Sequence, residues 1–173
     1  FQIDESNKAP RRTLEMISEL LRYQLYGGNQ KVSILQEIDY LKTYIALRKL
    51  RMSERLRLRV EFPPELNELN IYPLLFLPLV ENAFKYVGGD YQLDIIMKWE
   101  NNRISLFIRN SIPELSAEDE ALRKSVDERQ RKGIGLVNLR RRLSLLYPNK
   151  HRLETRKEET EFVAELMIEI EDI

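Results

Sequence analysis

The chain has no cysteine, one histidine, only six glycines and no net charge, its 28 Lys and Arg being matched by 28 Asp and Glu. Each shortage closes a class. Without Cys there is no disulfide scaffold, thiolate zinc site or Cys nucleophile, and the composition suits a reducing compartment. One His removes every multi-His metal site. The even charge balance argues against a dedicated nucleic-acid binder, which needs surplus Lys and Arg facing phosphates. No apolar run approaches the ~18 residues of a membrane span. The longest, Pro73 to Val80, is short and broken by prolines. Nothing at Phe1 reads as a signal peptide, and the chain starts mid-pattern without Met, so a longer parent is expected.

What is present is 43% hydrophobic and 9% aromatic over 173 residues, enough to bury a core in one domain with a small appendage. Helical spacing of Leu14, Ile17, Leu20, Leu21 and Leu25 predicts a helix over 7–26, stopped by Gly27-Gly28-Asn29. Ser33 caps a second helix over 33–54, in which Ile34, Ile38, Leu41 and Ile45 form a heptad-like seam. The pair reads as an antiparallel hairpin that packs on the rest of the chain or on a second copy.

The period then changes, which places a domain boundary at about residue 55. Leu56, Leu58, Val60 and Phe62 alternate with charges and end at Pro63-Pro64, the pattern of a half-buried strand. A helix follows from Leu74 to Val87. Two strands come next, one carrying Leu93, Ile95, Met97 and Trp99, the other Ile104, Leu106 and Ile108, with Asn101-Asn102 as their turn. Residues 111–132 are a polar excursion, the composition of a lid. A helix over 136–147 and strands over 151–157 and 160–170 complete the chain. Strands with helices gathered on one face make a two-layer α/β sandwich.

Two stretches could carry chemistry. In Glu81-Asn82-Ala83-Phe84-Lys85-Tyr86, helical spacing puts a carboxylate, an amide oxygen and an ammonium on one rim. That set suits a Mg²⁺-bound polyphosphate, hard oxygens for the metal and a point charge for phosphate. From one helix alone, an ordinary Glu–Lys pair beside an Asn is the better reading. In Gly133-Ile134-Gly135-Leu136-Val137-Asn138, two glycines precede a helix, whose N-terminal amides and dipole favour an anion. Arg129, Arg131, Lys132, Arg140, Arg141 and Arg142 surround it without an acid, though two glycines before a solvated basic helix are weak grounds in isolation.

The two in this order are more specific. Leu79 to Tyr86 resembles the N-box of GHKL ATP-binding domains, and Gly133 to Asn138 resembles their second glycine box. With Leu20 to Tyr26, Glu37 to Ile45, Pro73 to Lys85 and Gly133 to Tyr147, nearly the whole chain is similar to sensor histidine kinases of the LytS/YehU type. The resemblance implies an α+β fold of the GHKL (Bergerat) type, a two-layer sandwich with a mixed sheet. It makes residues 56–173 the ATP-binding catalytic domain and residues 1–55 the end of a dimerisation and phosphoacceptor region.

It also implies roles. Asn82 would ligate Mg²⁺ on the ATP phosphates and Glu81 would orient a metal-bound water or the attacking group. Lys85 would meet phosphate oxygens. The amides around Gly133 and Gly135 would cradle phosphate, with Tyr86, Leu136 and Asn138 completing the nucleotide site and residues 111–132 forming the ATP lid. The reaction would be γ-phosphoryl transfer to a His, dominated by positioning and charge neutralisation. A response regulator, often of LytTR type, would then receive the phosphoryl group. The parent would be a membrane-anchored homodimer with this part in the cytoplasm and no direct contact with nucleic acid.

Three departures stand out. The family's acceptor His lies on a helix upstream of residues 8–26. His151, following Pro148 and opening a strand, cannot replace it, so these residues alone should bind ATP without autophosphorylating. The first glycine box is reduced to Asn110-Ser111-Ile112-Pro113-Glu114, with Asn110 standing where the family's Asp accepts from the adenine amino group; it keeps an acceptor oxygen without the charge. The last box is reduced to Glu159-Thr160. A non-catalytic signalling module on a decayed GHKL scaffold is therefore the rival reading, and an ATP hydrolase or protein kinase on that fold fits the helical hairpin less well.

Overall fold

In the computed structural model, residues 8–26, 30–64, 66, 69–114 and 134–170 are described. Among them no helix is long and apolar enough to cross a membrane. The chain divides into two compact units, residues 1–54 with 66–74, and residues 55–65 with 75–173.

The first unit is a helical hairpin with a small ribbon. Helix α1 (Lys8–Tyr26) packs on α2 (Ile34–Lys49), and two-residue strands β1 (Val32–Ser33) and β3 (Asn70–Ile71) pair antiparallel, Val32 opposite Ile71. Ser33 caps α2 as its sequence predicts. Its hydroxyl accepts from Leu35 N at 3.2 Å, and Gln36 Oε1 accepts from Ser33 N at 3.1 Å, a capping box that fixes where the helix starts. The seam residues Ile34, Ile38, Leu41 and Ile45 are all buried. Helix α2 ends at Lys49 rather than 54, with Arg48 and Lys49 in its last turn, where cations favour the helix terminus. On α1 the expected apolar stripe is mostly outside. Leu20 is buried, while Leu14, Leu21 and Leu25 are 65%, 54% and 80% exposed. Neither short strand is visible in the sequence, because two residues carry no period.

The second unit is the expected two-layer sandwich. Its sheet runs β2-β4-β5-β7-β6, from β2 (Arg57–Glu61), β4 (Gln92–Glu100), β5 (Arg103–Ser111), β7 (Glu161–Glu169) and β6 (His151–Lys157). Strand β2 is parallel to β4 and the other neighbours are antiparallel, which makes the sheet mixed. The turn between β4 and β5 is Asn101-Asn102, with φ of 51° and 59°, the left-handed pair a two-residue hairpin requires. On one face Leu93, Ile95, Met97, Ile104, Leu106, Ile108, Leu153, Ala164, Leu166 and Ile168 are buried. Helices α3 (Leu77–Tyr86) and α4 (Ile134–Leu146) pack on the sheet and on each other. The other face carries charges paired across and along the strands, such as Arg109–Asp94 at 2.7 Å and Arg103–Glu169 at 3.5 Å.

Helix α3 starts at Leu77, three residues later than its sequence suggests. Leu74 has φ 59°, outside the helical region, and Pro78, having no N–H to give, is tolerated only in a first turn. The end of α3 is fastened to the end of β5. Gly88 N donates to Ser111 O at 3.0 Å, Ser111 Oγ donates to Gly88 O at 2.7 Å, and Gln92 N donates to Ser111 Oγ at 2.9 Å. A Cβ on Gly88 would lie 2.9 Å from Pro113 Cδ, and one on Gly89, whose φ is +60°, would lie 3.0 Å from Ile112 O. Two substitutions probe these turns. Asn101→Val and Gly89→Ala each put a Cβ-strained residue at positive φ and should lower the unfolding free energy by about 1 to 3 kcal/mol. Urea unfolding should show a lower midpoint at unchanged slope for both.

Candidate functional site

The buried side of α3 consists of Leu77, Leu79, Val80, Ala83 and Phe84. The helical period therefore leaves Glu81, Asn82, Lys85 and Tyr86 on the opposite side. Glu81 and Lys85 are exposed and Asn82 and Tyr86 half-buried. The Lys85 ammonium sits 5.0 Å from the centre of the Tyr86 ring, a cation–π contact that steadies a long side chain beside the amide of Asn82, three residues away.

Helix α4 begins at Ile134, so Gly135 lies in its first turn rather than ahead of it. A glycine is tolerated there because the first four N–H groups have no partner within the helix. Gly135 is exposed, and among the described residues nothing lies within 4 Å of where its Cβ would be. Leu136 is half-buried and Asn138 exposed, while Leu139 and Leu143 hold the helix to the core. Arg140 is tied to the sheet, its Nη1 donating to Leu153 O at 2.8 Å. Gly133 and most of the expected lid, residues 115–133, lie outside the described residues.

Asn110 occupies the last turn of the pleat in β5, on the helix-covered face, opposite Leu93 on β4 and Phe162 on β7. It is 1% exposed. Its Nδ2 reaches only the adjacent Ser111 O, at 3.3 Å, and its Oδ1 has no hydrogen-bond partner among the described residues. A buried amide oxygen without a donor costs about 1 to 3 kcal/mol, so this atom is held at the site at the expense of stability. Ile112 N donates to Thr160 O at 2.8 Å, which brings the reduced Glu159-Thr160 stretch to the same strand end.

Glu81, Asn82, Lys85 and Tyr86 are on α3, and Gly135, Leu136 and Asn138 are in the first turns of the helix packed against it; Asn110 lies in the sheet, on the face those helices cover. The Ser111 clasp and the close fit of Gly88 and Gly89 escaped sequence reasoning. His151 opens β6 with Nδ1 2.7 Å from Tyr147 O, an ordinary strand-end histidine. A depression of about 430 Å³ on the opposite sheet face is lined by Ile96, Lys98, Phe107 and Met167 with the Arg152–Glu154 pair, and contains none of these residues.

Comparison with known proteins agrees with the architecture. Residues 2–56 match the family model described as histidine kinase. Sensor protein kinase HptS of Staphylococcus aureus is 27% identical over 158 residues, 88% of this chain and 30% of HptS, so the chain spans less than a third of the curated relatives it matches. The Acinetobacter baumannii histidine kinase AdeS superposes with a TM-score of 0.51 at 16% identity, covering 99% of this chain and 88% of that one. The catalytic domain of histidine kinase ThkA gives 0.51 at 17% identity over 80% of this chain and 93% of its own. Full-length ShkA, solved in complex with AMPPNP, gives 0.55 at 14% identity over 96% of this chain and 37% of its own. At such identities the structures speak for the fold alone, which is that of histidine kinase catalytic domains. In sequence the chain is similar to sensor protein kinase HptS over most of its own length, and in fold it is similar to histidine kinase catalytic domains.

Proposed function

We propose that the second unit binds Mg²⁺-ATP and supplies it for phosphoryl transfer to a histidine outside these residues, within a membrane-anchored dimeric sensor kinase of the LytS/YehU type. The observation that carries this reading is the packing of α3, with its polar rim, on α4 and on β5, where the Asn110 oxygen lacks a donor among the described residues. In this reading Asn110 Oδ1 accepts from the adenine amino group, Lys85 holds phosphate oxygens, and amides near Gly133 and Gly135 receive phosphate. Asn82 offers one amide oxygen to the metal and Glu81 orients the attacking group. A single amide oxygen suits Mg²⁺, which keeps its waters and takes one or two protein oxygens plus the substrate's phosphates. The ion supplies charge neutralisation, and the protein's share is positioning.

Residues 1–55 would end the dimerisation and phosphoacceptor region, in keeping with the family match over residues 2–56. The AMPPNP bound in ShkA is in keeping with a nucleotide here. His151 Nδ1 donates to the Tyr147 carbonyl at the start of a strand, so the acceptor histidine would come from another segment. The phosphoryl group would pass on to a response regulator, and this unit would lie in the cytoplasm.

Thermal melts test the site. Nucleotide at a hundred times its dissociation constant stabilises by about 2.7 kcal/mol. An ATP analogue with Mg²⁺ should raise the melting temperature, and Asn82→Ala should remove most of that rise while leaving the ligand-free melt unchanged. Asn110→Leu deletes the buried oxygen that lacks a donor among the described residues, so the ligand-free protein should be no less stable, and by up to about 1 kcal/mol more so, while the nucleotide-induced rise in melting temperature shrinks. No rise at millimolar nucleotide in the unaltered chain would favour the non-catalytic scaffold.

A further inference from the structure

Glu37 is a carboxylate with no solvent exposure, set inside the hairpin unit among the seam residues of α2. A carboxylate survives such burial only if donors reach it. Its Oε2 accepts from two elements at once. The Tyr23 hydroxyl on α1 donates at 2.6 Å, and the backbone N–H of Leu74 donates at 3.0 Å. Burial, with the Glu37 charge beside it, pushes the Tyr23 phenol well above its usual range, so the hydroxyl remains a donor throughout the physiological range. The Tyr23 ring is stacked on Tyr40 with centroids 4.6 Å apart, and Gln24 Nε2 donates to the Tyr40 hydroxyl at 2.8 Å. These contacts set the register of α1 against α2.

Leu74 is a second anomaly in the same place. Its φ of 59° is a conformation that a leucine adopts at a cost of order 1 kcal/mol or more unless something holds it. Its amide is held by Glu37. Leu74 is also the last residue of the hairpin unit, three residues before α3 begins at Leu77.

We infer that Glu37 is a positioning latch: it joins the Tyr23 hydroxyl on α1 to the strained Leu74 backbone, so that a change of register between α1 and α2 releases the chain where it runs toward α3. A shift of α1 withdraws the Tyr23 donor, and the carboxylate must then turn or rehydrate to recover it. Turning loosens its grip on Leu74 N–H, and the leucine relaxes toward negative φ. The consequence for nucleotide handling rests on the function proposed above, whereas the latch does not.

Amide exchange at Leu74, followed by NMR in the 173-residue chain, reads the latch without nucleotide. Glu37→Gln keeps the shape and removes the charge, and should speed exchange at Leu74 by about tenfold or more, since bonds to a charged acceptor are the strong ones. Its Leu74 Cα shift should also leave the left-handed range. Tyr23→Phe keeps the stacked ring and deletes only the hydroxyl. It should speed Leu74 exchange by about threefold or more, although no hydrogen bond joins Tyr23 to Leu74 directly. Unchanged exchange and shift at Leu74 in a cooperatively melting Tyr23→Phe chain overturns the latch, whatever Glu37→Gln does. If Glu37→Gln fails to fold, Tyr23→Phe decides alone. Faster Leu74 exchange in the variants, alongside a nucleotide melt with no shift in the unaltered chain, would sink the nucleotide site and leave the latch standing.

Discussion

The candidate site depends on one small clasp. Ser111 closes β5 and reaches back with its hydroxyl to Gly88 and Gln92, while its carbonyl accepts from Gly88 N. Two of these bonds tie the end of the rim-bearing helix to the strand that carries Asn110, and the third ties that strand to the start of β4. They work because residues 88 and 89 have no Cβ, which lets backbone pass within contact distance of Ile112 and Pro113. Without that approach, α3 would ride further from the sheet. Each bond is worth little net in water, but the groups are largely dry, so leaving any of them unmade would be expensive.

The sheet treats its two faces differently. The helix-covered face is mostly apolar, with half-buried His151 and Thr155 on its edge strand, and Asn110 is its one fully buried residue with a polar atom that lacks a partner among the described residues. The other face is laced with ion pairs. Most are exposed, such as Arg152–Glu154 and Arg59–Glu61, and pairs of that kind contribute between nothing and about 1 kcal/mol. Asp94 differs, being nearly buried with Arg109 donating from both Nε and Nη2, an arrangement that pushes the guanidinium further toward its charged form.

Within the hairpin unit the same logic operates on a charge. Glu37 lies one residue before Ile38 in a seam otherwise made of Ile and Leu. A buried carboxylate is poor at stabilising a fold compared with an apolar side chain of like size, but it makes register specific, since only one arrangement of α1 supplies its donor.

Much of this architecture was legible in the chain itself. Strict alternation in Leu93–Trp99 and Ile104–Ile108, the Asn-Asn turn, the capping box at Ser33 and the polar rim on α3 are local, periodic signals, and each has its expected physical form. Short-range chemistry also placed Pro78 in a helix, though not the residue at which that helix starts. Periodicity could not say which side of α1 is covered: Leu14, Leu21 and Leu25 form a good stripe, yet they are exposed among the described residues, because amphipathic spacing names a face and not what lies against it. Nor could it find β1 and β3, too short for any period, or the left-handed Leu74. The sequence alone determined the kinds of element, their order and the residue types available to a phosphate or a metal. Only the tertiary structure decided that Asn110 is buried without a donor among the described residues, that Ser111 clasps Gly88, and that Glu37 bridges Tyr23 and Leu74, because each bond joins residues 14 to 37 positions apart, or depends on what surrounds an atom, which no local pattern encodes.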